Sequence, residues 1–231
     1  MFDHLSELAG LTFIVLSIIG EPVKHGKDGM FAGTAYGTAL NDRRQVAALD
    51  PAFRAAPYKA PPQAPVLYIK PGHCVVAGGA VVALPAGCDA LGIAATVALQ
   101  WTVTGATAVR LAIDVSIPHD NFYRPAVAEL ARDGFLPVGA AIPRPADLDA
   151  LEIVTEIDGE TVHRWSLSNL IRNVPTLIAD VAAFMTPMPG DMLLVGTAFD
   201  RPTAGAGRRI RVSARGFPAL EARIAAAGDG A

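Results

Sequence analysis

The sequence predicts a strand-dominated α+β fold, and three observations predict it. Short apolar runs rich in Val, Ile and Thr recur between glycine and proline punctuation, as at residues 95–103 and 108–115. Helical patterns are few and short. Strands and helices do not alternate as βαβ units require, so the two element types are segregated. At 231 residues, 52% hydrophobic and 18% charged, the chain can bury a substantial core.

In chain order, residues 1–29 stand apart. The segment LTFIVLSIIG (residues 11–20) is too short to span a bilayer. It is a poor secretory signal, because Asp3 and Glu7 precede it where positive charge is expected. Either it docks on the body or on a partner, or it is not part of the natural product; Met30 reads as the start of the folded domain. A glycine-punctuated strand at 31–40 leads to a short helix at 41–49. Asn41 or Asp42 caps it, because their side-chain oxygens accept the free N–H groups of a first turn. The proline run in KAPPQAPVLYIKP stays extended and feeds a strand at 66–69 that ends at Lys70. Two small β segments flank Gly78-Gly79.

Strands at 95–103 and 108–115 form the centre of the chain, and the second ends in one isolated acid, Asp114. A lone carboxylate in an apolar strand is costly to bury unless something pairs with it. Asp114 therefore either binds a cation or is held by hydrogen bonds. Residues 125–132 read as a two-turn helix with proline first. Residues 152–165 form the clearest hairpin, because Asp158-Gly159 supplies the positive-φ pair of a type I′ turn. A short helix at 168–173 precedes a longer one at 175–185, with Leu177, Ile178, Val181 and Phe184 on one face. After PGD comes MLLVGT, and residues 208–214 form the last strand.

A net charge of −3 leaves no electrostatic footprint for nucleic acid or an anionic membrane. Cys74 and Cys88 make neither a CxxC pair nor a disulfide framework, which fits a reduced, cytoplasmic setting. None of the five histidines stands at metal-ligand spacing from another, and His73-Cys74 reads as a loop pair rather than a metal site. There is no GxSxG elbow and no glycine-rich phosphate loop. In FYR, Arg124 either presents its guanidinium to a carboxylate substrate or packs structurally on an aromatic ring.

The segments KAPPQAPVLYIKP, DVSIPHDNFYRPA, RDGFLPVG and MPGDMLLVGTA, in this order, resemble the fumarylacetoacetate hydrolase family. The resemblance covers residues 30–223 and implies a rolled mixed β-sheet with flanking helices. The combination DVS, FYRPA and RDGF is similar to the N-terminal half, or separate N-terminal subunit, of the decarboxylase/isomerase group of 4-hydroxyphenylacetate (homoprotocatechuate) degradation. That group converts 5-oxopent-3-ene-1,2,5-tricarboxylate to 2-hydroxyhepta-2,4-diene-1,7-dioate and isomerises the product.

The family resemblance also implies Mg2+ or Mn2+, held by a Glu-x-Glu pair on one strand and an aspartate on the next. A hard dication chelates a 2-oxo acid and stabilises the enolate formed when CO2 leaves or a proton shifts. Placed on this sequence, the two glutamate positions fall on Ala94 and Thr96, and the aspartate is Asp114. The family lysine before the DGF turn falls on Leu130. The histidine and glutamate of the early helix fall on Gln45 and Ala48. Lys70, Arg124 and Thr197 remain as substrate-binding residues, and no catalytic residue is assigned. The expectation is a subunit with a degenerate metal site whose chemistry lies mainly on a partner. That partner is a homologous C-terminal-type subunit with an intact Glu-x-Glu; homo-oligomerisation is the other arrangement. The alternative is a self-sufficient enzyme on a 2-oxo acid, an acylpyruvate-type hydrolase or a tautomerase.

Overall fold

The computed structural model describes residues 33–119 and 126–226. The segment 1–29, Arg124 and the start of the helix expected at 125 lie outside the described residues.

The centre of the fold is the hairpin of β5 (Leu91–Thr102) and β6 (Gly105–Ser116). Both strands are longer than the sequence suggests and both of their faces are buried, which explains their near-continuous apolar composition. Strands β1 (Ala35–Ala39), β2 (Val66–Lys70), β3 (Val75–Ala77), β7 (Leu136–Val138) and β11 (Met192–Leu194) complete the main path of a nine-stranded sheet. Its order is β2-β1-β11-β5-β6-β7-β3. The short β8 (Ile142–Pro143) adds to β6, and β12 (Thr203–Ala204) adds to β5. A second sheet has the order β10-β9-β13-β14-β4. It comprises β4 (Ala80–Ala83), β9 (Glu152–Ile157), β10 (Glu160–Ser166), β13 (Arg209–Ala214) and β14 (Leu220–Ala225).

Alternation along β5 and β6 sorts their side chains. Ile93, Val97 and Leu99, with Val109, Leu111, Ile113 and Val115, face the second sheet, where Ile153, Ile210, Val212 and Ile224 complete the main core. The opposite face carries small residues, Gly92, Ala94, Thr96 and Ala98 against Ser116, Asp114 and Ala112. Around Ala98 and Ala112 this face closes with Cys74, Leu136, Met192 and Leu194.

The large sheet is curled. Lys70 on edge strand β2 lies four strands from β6 by sheet order, about 19 Å along a flat sheet. Its ammonium nevertheless donates to the carbonyl of Val115 on β6 at 2.7 Å. Only a rolled sheet brings those strands within reach of one side chain.

Helix α1 (Arg43–Phe53) begins at Asp42, whose Oδ1 accepts the N–H of Arg44 at 2.7 Å. The other carboxylate oxygen accepts the indole N–H of Trp165 at 2.9 Å, fastening the helix start to the second sheet. The helix continues through Pro51, past the expected end, because Phe53 is buried and sets its ring edge-on to Tyr58 at 5.7 Å. The hairpin at 152–165 forms as the turn chemistry requires, with φ of 53° at Asp158 and 87° at Gly159.

Other elements correct the sequence reading. The helix expected at 125–132 is a single turn, α2 (Val127–Leu130), which has no buried residue to extend it. Residues 168–173 give only a 3-10 turn, Leu167–Asn169. Helix α3 (Val174–Ala182) buries Leu177 and Val181 but stops before Phe184, which is 62% exposed. Residues 208–214 are not the last strand, because β14 follows. Among the described residues no helix is long and apolar enough to cross a membrane.

Candidate active-site core

The small-residue face of the central hairpin brings together the positions named by the family resemblance. Ala94 on β5 pairs directly with Asp114 on β6, and Thr96 lies two residues further along the same face. All three are buried. The two strands thus hold the three implied ligand positions side by side, but only one carries an acid.

Asp114 is held within the protein. Its Oδ1 lies 2.7 Å from the ammonium of Lys70, and its Oδ2 accepts the phenol of Tyr68. Lys70 directs hydrogen bonds to the carbonyls of Val115 at 2.7 Å and Phe135 at 3.1 Å, so toward Oδ1 it acts as a charge rather than an aligned donor. The Phe135 ring adds a face 5.8 Å from the ammonium. The DGF turn therefore supplies a carbonyl and an aromatic ring to Lys70. Lys70, expected as a substrate contact, is 0% exposed and sets its charge beside Asp114.

Tyr68 reaches the carboxylate because residue 37 is glycine. Gly37 and Tyr68 stand opposite each other on β1 and β2, and the phenol crosses the glycine. A Cβ at position 37 would sit 2.0 Å from Tyr68 Cζ, a distance no side chain tolerates. Burial, then the charge and hydrogen bond of Asp114, push the Tyr68 phenol well above its ordinary pKa, so it remains a donor. The sequence reading passed over Tyr68 and Gly37. One signal was available: in VLYIK, Tyr68 and Lys70 are two apart and share a strand face.

The surrounding positions are held mainly by the loop after β11 and by α1. Thr96 turns its hydroxyl onto the carbonyl of Gly196, in the loop that follows β11. Thr197, next in that loop, is half-buried, and its hydroxyl forms no hydrogen bond among the described residues. Asn41 binds the same loop through Val195 O at 2.7 Å. Gln45 is buried beneath α1, whereas Ala48 is exposed. Leu130 lies at the end of α2 and carries no charge.

These residues do not fit a divalent cation. Mg2+ and Mn2+ require several oxygen ligands, carboxylates foremost. Ala94 offers none, Thr96 is committed to a carbonyl, and an ammonium 2.7 Å from Asp114 repels a second cation. No group of three His, Cys, Asp or Glu side chains poised for a metal occurs among the described residues. Both cysteines are free.

The molecule can now be set beside known proteins. The 4-hydroxyphenylacetate degradation bifunctional isomerase/decarboxylase of Escherichia coli is 40% identical over 203 residues, covering 82% of this chain and 46% of that protein. The chain thus spans about half the length of the curated relatives it matches. Fumarylpyruvate hydrolase from Pseudomonas aeruginosa, solved with Mn2+ and pyruvate, has a TM-score of 0.72 at 16% identity, covering 88% of this chain and 94% of that one. The 5-carboxymethyl-2-hydroxymuconate delta-isomerase of Mycobacterium smegmatis has a TM-score of 0.69 at 20% identity, covering 87% of this chain and 82% of that one. Both structures share the rolled sheet. A family model, the C-terminal domain of fumarylacetoacetate (FAA) hydrolase, matches residues 34–225. With that match spanning both sheets and the central hairpin, the chain belongs to the fumarylacetoacetate hydrolase C-terminal family.

Proposed function

We propose that this chain is a subunit of a decarboxylase/isomerase for oxo-diacids of 4-hydroxyphenylacetate catabolism, and that the dication-dependent step lies on a homologous partner chain. The similarity to the bifunctional E. coli protein supports the reaction class. The observation that carries the division of labour is the state of Asp114. Its Oδ2 accepts from Tyr68, its Oδ1 lies 2.7 Å from the Lys70 ammonium, and Ala94 and Thr96 stand where the family resemblance puts glutamates. Without a resident dication the enolate of a 2-oxo acid loses its main stabiliser, so this fold contributes binding surface and assembly rather than the decisive charge. The E. coli relative is more than twice as long as its matched region, which leaves room for a second domain of the same kind.

Calorimetric titration of the chain with Mg2+ and Mn2+ tests the reading directly. The expected result is binding no tighter than about millimolar, the weak end of oxygen-ligand sites. Decarboxylation of 5-oxopent-3-ene-1,2,5-tricarboxylate is expected only when a partner carrying Glu-x-Glu is added. Micromolar dication affinity, or robust turnover by this chain alone, overturns it.

A further inference from the structure

The loop joining Gly196 to β12 carries an arginine that neither the sequence reading nor the ion pairs of the fold account for. Arg201 is half-buried, and its guanidinium forms no hydrogen bond or ion pair among the described residues. Its place is set by the backbone. The carbonyl of Pro202 accepts the N–H of Ile93 at 2.8 Å, and Thr203 and Ala204 pair with Gly92 and Leu91. The arginine stem is thereby laid over Gly92, on the small-residue face next to the row of Ala94 and Asp114.

Nearby acids do not neutralise it. Asp200 is engaged by both guanidinium nitrogens of Arg44, at 2.8 and 3.2 Å, and by His163 at 3.0 Å. Asp114 is balanced by Lys70. Arg201 is close enough to this group for its charge to act on the Tyr68 phenol, opposing the upward shift that burial causes. Among the described residues the rim of the site therefore carries one positive charge in excess. Beside it, Ser116 is 2% exposed, and its hydroxyl forms no hydrogen bond among the described residues. Its Oγ would lie 3.0 Å from a Cβ at position 92, and Arg201 Cδ would lie 3.6 Å from it. Glycine keeps open the space between the hydroxyl and the arginine stem.

We propose that Arg201 and Ser116, over the floor made by Gly92, form a receptor for one carboxylate of an organic acid ligand. A guanidinium presents a planar fork that matches a carboxylate, and the Ser116 hydroxyl adds a third donor. One unpaired positive charge matches a carboxylate monoanion. A phosphate dianion would face the Asp114 carboxylate without a second free cation among the described residues to offset it. The receptor rests on the proposed function only in taking this face as the ligand side of the site. Binding is read without turnover, so failure of the partner-dependent reaction leaves the receptor standing, and loss of binding leaves the division of labour standing.

The test is titration of the full chain with succinate and, separately, with inorganic phosphate, followed by calorimetry. Succinate is expected to bind and to be preferred over phosphate. Arg201→Gln is expected to weaken succinate binding by about tenfold or more, the scale of a charge-assisted pair. Arg201→Lys, which keeps the charge but loses the fork, is expected to fall between. Ser116→Ala and Gly92→Ala are expected to weaken it several-fold, with a cooperative melt showing that each variant remains folded. No succinate binding by the unaltered chain up to tens of millimolar overturns the proposal. So does phosphate binding more tightly than succinate, or unchanged succinate affinity in a folded Arg201→Gln chain.

Discussion

Replacing Lys70 with methionine removes the charge that compensates Asp114 while keeping most of the side-chain volume. The carboxylate is then buried with only the Tyr68 phenol for support, the Val115 carbonyl loses the ammonium, and the Phe135 carbonyl keeps only the N–H of Val115. Breaking a buried pair by removing one partner costs about 3–5 kcal/mol. For a chain of this size that corresponds to a fall of roughly 6–20 °C in Tm, at about 2–4 °C per kcal/mol. The double variant Lys70→Met/Asp114→Leu removes both charges, so it is expected to be more stable than Lys70→Met alone by at least about 1–2 kcal/mol. It does not recover everything, because the Val115 carbonyl and the phenol lose their side-chain partners. Urea unfolding of the parent, both single variants and the double variant gives the coupling energy, with Lys59→Met as an exposed control expected within about 0.5 kcal/mol of the parent. A coupling near zero, or a Lys70→Met cost below about 1 kcal/mol, refutes the account of Asp114 given above.

Two further predictions concern Tyr68. Its pKa is raised on folding, so its contribution is fully present below the ordinary tyrosine pKa and is lost as pH rises toward the folded value. The unfolding free energy of the unaltered chain, read from urea titrations, should therefore fall above about pH 10 by up to about 1.4 kcal/mol per pH unit, and Tyr68→Phe should flatten this alkaline limb; parallel limbs would contradict the hydrogen bond to Asp114. Gly37→Ala should destabilise by about 1–3 kcal/mol, the scale of overpacking, and cost less in a Tyr68→Leu background. Strictly additive effects would mean that the phenol does not cross position 37.

What was legible in the sequence was local. The hairpin at β9 and β10 follows from two residues at its turn, and the central hairpin follows from long runs of β-branched and apolar residues. β14 was missed because LEARIA is built from residues that suit a helix equally well; its alternation shows only once Leu220, Ala222 and Ile224 meet the core. Helix α3 was drawn too long because Phe184 continued the 3.6-residue pattern, although nothing covers that ring. The isolated acid was recognised as costly, but its partners could not be read. Lys70 and Tyr68 are more than forty positions away, and they meet Asp114 only because the sheet curls. Arg201 was invisible for a similar reason. In FDRP it reads as one more loop cation, and its isolation emerges only after Asp200 is seen to be occupied by Arg44 and His163.

The curl and the ion pair explain each other. A buried salt bridge adds little net stability compared with apolar residues of the same volume, so stability alone does not account for a lysine that is 0% exposed. Its position does. Lys70 sits on the outermost strand of the sheet and contacts Asp114 and Val115 on β6 and Phe135 just ahead of β7. These contacts tie one edge of the sheet to strands near the other edge. A one-residue slip of β2 would carry Lys70 and Tyr68 to the opposite face and leave Asp114 uncompensated, an outcome costly enough to exclude the alternative register. The Lys70–Asp114 pair thus stands where the resemblance places a metal centre and does a structural task there, pinning the roll. With Asp114 balanced by Lys70 and Asp200 engaged by Arg44 and His163, Arg201 has no ion-pair partner among the described residues. The two strands that carry Ala94, Thr96 and Asp114 are therefore closed against β2 by the Lys70–Asp114 pair, and the roll of the sheet rests on it.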